Sequence, residues 1–452
     1  MTRSEQPAPV YALPVLDRWL VHAPLHGATA LVNSAALARL RDRDNGAPAG
    51  RVAELDDLLA REPQSEPRPH QGPLRPQFLG LIPTRACNLR CLYCGFGAAQ
   101  APCDQMDPRI AVAAVDWMAD EVQREGGQTL DVHFFGGEPM AAPDVVEVAA
   151  HRTRAAAAER GLTPRLEAAT NGVYSEDRAR FLGDYFDWVV LSFDGPPDIH
   201  DRHRPAAGGR GSFEAVARTA RILSRSPADF SLRICVSQHN VSRLAETARW
   251  FCDDFQPATI DIETLQPTPE SEQAGLLPPD PYAFAANYWR AAREAERYGV
   301  RATYSAALTE APRATFCPVG NDALIVSPDG RLSACYLPEG EWQARGLDLN
   351  LGRFDDGAIR LEADCIERAR SLPAAQPRCQ QCFCRWSCAG GCVVNHSYPG
   401  CPETYDGFCI QTRILTACSL LGASLADDLL GDRAAMEALA FERSDLVETA
   451  HG

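Results

Sequence analysis

No stretch of the chain approaches the roughly 18–20 consecutive apolar residues that a membrane-crossing helix needs, so no membrane span is expected. The first residues, Met1 to Pro7, lead into no apolar signal core, which points to a protein that is not exported and works in the cytoplasm. Positive charge is in short supply: 44 Lys+Arg stand against 60 Asp+Glu, a net charge of −16. A general binder of nucleic acid or anionic membrane needs the opposite balance, although a local basic cleft stays open. Disulfides are not expected either, despite 17 cysteines, because a cytosolic chain keeps its thiols reduced. Nine of the cysteines fall between Cys365 and Cys418, both included, and metal sites are the simplest reason for such clustering.

What is present is long enough for several units. At 452 residues the chain exceeds one ordinary core, so two or three domains are expected. Residues 1–62 read as a small N-terminal extension, with a strand-like Arg18–His22 and helix-like Ala35–Arg43 and Val52–Ala60. Residues 63–77 carry five prolines and read as a semi-rigid linker. From Phe78 a regular alternation begins. Strand-like runs fall at Phe78–Pro83, Asp131–Phe135, Leu166–Ala169, Trp188–Phe193, Leu232–Val236 and Thr259–Thr264. Helical periodicity fills the gaps, at Arg109–Gln123, Pro143–Arg160, Glu176–Phe186, Phe213–Ser224, Ser242–Phe255 and Pro281–Arg297. Such βαβ units imply a parallel sheet, and six of them predict an α/β fold, a partial (β/α)6 TIM-like barrel over residues 78–309. Sites in such folds sit at the carboxyl ends of the strands. From about Glu310 the alternation stops. Residues 310–415 form a cysteine-rich C-terminal part, and residues 416–452 a helical segment with a frayed end.

Cys87, Cys91 and Cys94, spaced C-x3-C-x2-C, follow the first strand directly. Three thiolates on one loop can hold three irons of a [4Fe–4S] cluster, whereas ordinary clusters take four. A zinc knuckle is the alternative, but zinc sites usually show two separated ligand pairs and no fourth ligand lies close. The spacing resembles the radical S-adenosylmethionine (SAM) enzymes. That resemblance implies an open iron that chelates the amino and carboxylate groups of SAM. It also implies reductive cleavage of SAM to a 5′-deoxyadenosyl radical, with the protein positioning the cofactor.

Further turns fit the same family. Gly136-Gly137-Glu138-Pro139 follows the second strand; alone it is a strand-ending turn, but glycines there let a ligand approach the backbone. The resemblance gives Gly136, Gly137 and Glu138 the amino group of SAM, and Asn171, in the turn Thr170-Asn171-Gly172, the neighbourhood of the ribose. Ser192 and Arg204, twelve residues apart, match a pair that contacts the SAM carboxylate and ribose in the peptide- and protein-modifying branch. A guanidinium suits a carboxylate because it presents two parallel donors. Tyr93 matches an aromatic position near the adenine, and equally suits a core.

A second cysteine block runs Cys317-x12-Gly330-x4-Cys335, then Cys379-x2-Cys382-x5-Cys388-x3-Cys392, then Cys409. This pattern resembles the SPASM domain, a C-terminal extension of radical SAM enzymes that carries auxiliary [4Fe–4S] clusters; a zinc-stabilised subdomain is the alternative. The resemblance implies two of them. Cys379, Cys382, Cys388 and Cys409 would bind the outer one, and Cys317, Cys335 and Cys392 the nearer one. The nearer set is one thiolate short, so its fourth iron is open or is filled by Cys384 or Cys401. Cys103, Cys235, Cys252, Cys365 and Cys418 match no motif and read as structural thiols.

The resemblance thus implies a maturase that joins a thioether or carbon–carbon bond in a ribosomally made peptide. Its partners would be that precursor and an electron donor such as flavodoxin or ferredoxin. An anaerobic sulfatase-maturating enzyme ranks second, because that family places an Asp base after the second SPASM cysteine and here Tyr336 follows Cys335. A phenol, with an ordinary pKa near 10, is a poor base at neutral pH. Peptide epimerisation would need a thiol hydrogen donor that the sequence does not nominate. The reading from another class is a non-catalytic metal-binding interaction protein. Residues 1–60 faintly resemble a winged-helix module that holds a leader peptide by strand addition, or else cap the barrel.

Overall fold

The computed structural model describes residues 8–41, 57, 59–98, 104–319, 322–372, 377–396, 405–441 and 445–446. The parallel part of the main sheet starts with β4 (Leu79–Leu81), numbered after three strands of the N-terminal sheet described below. It continues with β5 (Thr129–Phe134), β6 (Thr163–Thr170), β7 (Trp188–Ser192), β8 (Asp229–Val236) and β9 (Thr259–Thr264). All six coincide with the expected runs to within three residues. A seventh, β10 (Arg301–Thr303), pairs parallel with β9. On the other edge β11 (Leu324–Val326) pairs parallel with β4, so the cysteine-rich part enters the same sheet. An antiparallel meander follows, β12 (Arg331–Ser333), β13 (Asn350–Asp355) and β14 (Ala358–Leu361). The order is β10-β9-β8-β7-β6-β5-β4-β11-β12-β13-β14, an open α/β sheet rather than a closed barrel.

Local signals set the helices between these strands. Asp107 caps Pro108–Arg124 by accepting from the Arg109 amide, with proline at the first helical position. Asp280 does the same for Pro281–Glu296 through Ala283. Gly161, at φ +68°, closes Pro143–Arg160 in the left-handed conformation that glycine adopts freely.

The strands alternate. Val132, Phe134, Leu166, Ala168, Val189, Leu191, Leu232, Ile234, Ile260 and Ile262 point to the helices and are buried with them. The other face of β5, β6, β8 and β9 carries Asp131, His133, Arg165, Glu167, Arg233, Asp261 and Glu263, largely half-buried. Arg165 is 2.7 Å from Asp131, His133 is 2.9 Å from the same carboxylate, and Ser231 reaches Asp261 at 3.0 Å. A sheet face this polar, turned inward, leads up to the ends where the candidate site lies.

The N-terminal extension is a second sheet. β1 (Tyr11–Val15), β2 (Arg18–Ala23) and β3 (Ala28–Val32) are antiparallel, and β15 (Asp445–Leu446) adds to the outer edge of β1. Tyr11, Leu13, Val15 and Leu20 belong to the main core. Val10, Ala12, Val21 and Ala23 pack the other way, against Leu37, Leu40 and Leu59. The extension is therefore a layer of the molecule, although its sequence read as a unit set apart. The helix expected at Ala35–Arg43 is Ser34–Arg41. The one expected at Val52–Ala60 lies mostly outside the described residues. The proline-rich residues 63–77 form no helix or strand and are strapped down by a buried ion pair: Arg370 bonds Asp322 at 2.6 Å, and both reach the backbone of that stretch. No helix among the described residues is long and apolar enough to cross a membrane.

Candidate active site

The loop that leaves β4 is held by the ends of its neighbours. Gly137 N donates to Thr84 O at 3.1 Å and Glu138 N to Ala86 O at 2.9 Å. Further along, Arg90 N and Leu92 N donate to Pro205 O and His203 O. A Cβ on Gly136, at φ +148°, would sit 2.5 Å from Thr84 O, and one on Gly137 2.1 Å from Ala86 O. Only glycine allows that approach. The carboxylate of Glu138 is turned away from solvent, bonded to the Asn171 amide (2.7 Å), the Thr170 hydroxyl (2.8 Å) and the Met140 amide (3.1 Å). Burial raises it to about 7 despite those donors. Glu138 thus ties the turn after β5 to the turn after β6.

Above these turns opens a cavity of about 500 Å³, and Cys87, Cys91, Cys94, Gly136, Gly137, Asn171, Tyr93, Ser192 and Arg204 all line it. Glu138 stands behind its wall. Asn171 Nδ2 is 3.4 Å from Cys87 Sγ and 2.9 Å from Asn88 Oδ1. Arg204 reaches Cys91 Sγ at 3.9 Å and lies 5.2 Å from the Tyr93 ring centre.

The hub under this cavity is Asp194, in the run Ser192-Phe193-Asp194-Gly195 that leaves β7. It is fully buried and accepts from Tyr93 Oη (2.6 Å), Arg204 Nε (3.0 Å) and the Cys235 amide (2.9 Å), with His203 Nδ1 at 3.3 Å. Burial alone would raise its pKa, but Arg204 and His203 outweigh burial and hold the carboxyl well below the usual range. Cys235, expected as a structural thiol, lies beside this hub. The signal available in the sequence was the Ser-Phe-Asp-Gly run itself, which places an acid two residues past the strand that ends at Ser192.

Cys317, Cys335 and Cys392 line the same cavity as the first triplet. Cys379, Cys382, Cys388 and Cys409 line a different, smaller one, with Cys384 among them. The seven cysteines thus divide in space into the three and four that the family pattern implied. Cys384 belongs with the four, so it does not complete the three; Cys401 and Cys103 lie outside the described residues. Tyr336 lines the larger cavity, its ring 4.8 Å from Phe135 and its hydroxyl against Gly80, and burial pushes its phenol well above 10.

The donor sets suit iron–sulfur clusters. Both cavities are lined by several thiols and mostly apolar walls. Burial pushes Cys87 up to about 11 and Cys91, Cys317 and Cys388 up to about 12. Thiols so desolvated ionise only beside a strong cation, which a cluster iron provides. Among the described residues no three His, Cys, Asp or Glu side chains converge as they would on a single metal ion.

Residues 81–251 match the family described as the Radical SAM superfamily. The chain carries a radical SAM domain and is an enzyme of that class, which uses a [4Fe–4S] cluster and SAM. It is 28% identical over 373 residues to a serine-type anaerobic sulfatase-maturating enzyme of Klebsiella aerogenes, covering 77% of this chain and 86% of that one. It is 27% identical over 339 residues to the mycofactocin maturase MftC of Mycobacterium ulcerans, covering 73% and 86%. Among solved structures, native anSMEcpe with bound AdoMet and Cp18Cys peptide shares the fold, with a TM-score of 0.59 at 19% identity over 78% of this chain and 99% of that one.

Proposed function

We propose that this enzyme is a peptide maturase that forms a thioether or carbon–carbon cross-link in a ribosomally made precursor. The observation that carries the reading is the shared cavity, where two sets of three thiols face one space large enough for a co-substrate and a side chain. A cluster on Cys87, Cys91 and Cys94, with SAM, supplies hydrogen-atom abstraction from the substrate.

The chain's own residues orient and enclose that chemistry. Asn171 and Arg204 steady the thiols of Cys87 and Cys91. Asp194 fixes Arg204 and Tyr93, so their faces toward the cavity are set before anything binds. Ser192 and Arg204 offer donors for the carboxylate and ribose of SAM, and the Gly136-Gly137 turn offers backbone carbonyls to accept from its amino group, while Glu138 serves by holding the Asn171 turn in place. Phe135, Tyr336 and Ile325 give the cavity apolar walls that exclude water.

Residues 78–309 make up the catalytic part and 310–415 a SPASM domain. Within the latter, Cys317, Cys335 and Cys392 hold a nearer auxiliary cluster, and Cys379, Cys382, Cys388 and Cys409 an outer one. Clusters held there would take up the extra electron left when the substrate radical closes the new bond and pass it to an electron acceptor, while flavodoxin or ferredoxin is the donor expected to supply the electron that cleaves SAM. The outer edge of β3, unpaired among the described residues, suits an extended leader peptide.

The second reading, sulfatase maturation, is favoured by the Klebsiella relatives, which cover most of their own length. Against it stands Tyr336, a phenol that stays protonated where an Asp base would be needed.

The test is mass spectrometry of a candidate short precursor peptide, after anaerobic incubation with reconstituted enzyme, SAM and a reductant. A loss of two hydrogens mapped between two residues is expected. 5′-Deoxyadenosine without a mass change would sink cross-linking for that peptide and bring a sulfatase forward as the next substrate.

A further inference from the structure

Two buried side chains outside the ligand sets act on the cysteines of the smaller cavity from different parts of the chain: Arg413 lines the cavity, and Tyr11 lies within electrostatic reach of two of its cysteines. Arg413, only 1% exposed, lines that cavity and places Nη1 3.2 Å from Cys382 Sγ and 3.2 Å from Tyr405 Oη. Its Nη2 donates to Leu439 O at 3.2 Å, and its guanidinium stacks between Phe383 (4.8 Å) and Tyr405 (4.4 Å). Tyr11 comes from β1 of the N-terminal sheet and is 0% exposed. Its hydroxyl has no hydrogen-bond partner among the described residues, although it lies within electrostatic reach of Cys382, Cys384, Arg385 and Glu66. A buried hydroxyl without an acceptor is costly and calls for an explanation at that spot. The thiols of Cys382 and Cys384 are among the acceptors that face this part of the molecule.

We infer that Tyr11 and Arg413 are positioning residues for the outer cluster, donating to its sulfurs and raising its reduction potential. The inference rests on the reading that Cys379, Cys382, Cys388 and Cys409 hold that cluster. Its physical basis is general. Reduction adds one electron to an already anionic cluster, and hydrogen bonds or positive charge at the sulfurs favour the reduced form more than the oxidised one. Arg413 supplies both. Tyr11 supplies a donor alone, and it does so from the N-terminal sheet, which thereby becomes part of the electron path's environment. An outer cluster held at a higher potential than the nearer one draws the electron outward from the shared cavity.

The experiment is a redox titration of reconstituted full-length protein, followed by electron paramagnetic resonance. The background carries Cys87→Ala, Cys91→Ala and Cys94→Ala, so only auxiliary clusters remain. The outer signal is the one absent when Cys379 and Cys409 are also replaced by alanine. Tyr11→Phe removes one hydroxyl and keeps the shape. Arg413→Gln removes the charge, and Arg413→Lys restores it without the planar fork. The expected result is a lower potential in Tyr11→Phe, about threefold in the reduction equilibrium. A larger fall is expected in Arg413→Gln, about tenfold or 59 mV for a one-electron couple, with partial recovery in Arg413→Lys. The nearer signal stays put. An outer signal present at an unchanged potential in Tyr11→Phe and Arg413→Gln overturns the inference while leaving the cluster assignment intact. An outer signal missing from the parent, with iron four short per chain, overturns the assignment and the inference together.

Discussion

Asp194 ties together Tyr93, Arg204, His203 and the Cys235 amide at the base of the cavity. The chain has no lysine, so every permanent cation is a guanidinium, a rigid fork suited to being fixed by one carboxylate. Removing one partner of a buried ion pair leaves the other charge uncompensated, at about 3–5 kcal/mol. Asp194→Asn should therefore lower unfolding stability at pH 7 by that order and loosen SAM binding, read by denaturant titration and equilibrium dialysis. The pH dependence has a definite sign. The folded pKa of Asp194 is depressed, so its contribution is present above the unfolded value near 4 and is lost as pH falls below it. Wild type should lose more stability than Asp194→Asn on acidification through that window.

Glu138 runs the other way. Its folded pKa is raised to about 7, so the folded state binds the extra proton and stability falls as pH rises from about 4.5 to 7. Glu138→Gln should abolish that component of the slope, on the order of 3 kcal/mol at most; identical pH profiles for the two proteins would count against a raised Glu138. Tyr336 gives the simplest case. A phenol pushed above 10 accepts no proton at pH 7. Tyr336→Phe should keep at least half of the product-forming rate, and a loss of a hundredfold or more would restore a base at this position.

At the scale of elements, the turns after β5 and β6 act as one clamp on the cysteine loop. Gly137→Ala places a methyl 2.1 Å from Ala86 O, which backbone cannot yield cheaply. The expected outcome is a protein that folds but binds about four fewer irons per chain and shows no SAM-dependent change in its electron paramagnetic resonance spectrum. Wild-type iron content in that variant would remove the clamp from the account. The sequence made much of this legible, because each strand end carried a turn signal and every expected barrel strand and helix is present. The short strands were not legible. β10 and β11 are three residues each, too few to show a period, and yet β11 is what brings the cysteine-rich part alongside β4. Asp194 was hidden for a different reason. In sequence an Asp-Gly pair is first of all a turn, and only the return of the helix ending at His203, with Arg204 just past it, makes it a hub.

At the scale of the whole molecule, the C-terminal cysteines reach the strand ends beside Cys87 because they hang on the same sheet. Cys317 precedes β11 and Cys335 follows β12, so the parallel pairing of β11 with β4 sets both at the cavity beside Cys87. The N-terminal sheet closes the molecule from the other side, and this is where sequence reasoning was least informative. Alternation in Tyr11–Val15 says that one face is buried, but not against what. In the structure both faces are covered. Leu13, at 0% exposure, sits in the main core with the helix Arg433–Phe441 nearby, while Ala12 faces the small N-terminal helix. A detachable leader-binding module predicts that residues 78–452 fold alone. A structural layer predicts that they do not, since removing β1 to β3 strips apolar cover from the core and leaves β15 without a partner. Leu13→Ala should then cost roughly 2–5 kcal/mol of the whole enzyme's stability, as a buried leucine does in any single core, seen as one cooperative transition shifted to lower denaturant. If instead the variant melts the N-terminal sheet in a separate early transition and leaves the midpoint of the main one unchanged, the sheet is a domain in its own right. The coupling inferred between Tyr11 and the outer cluster would then have to act through a module that can come and go.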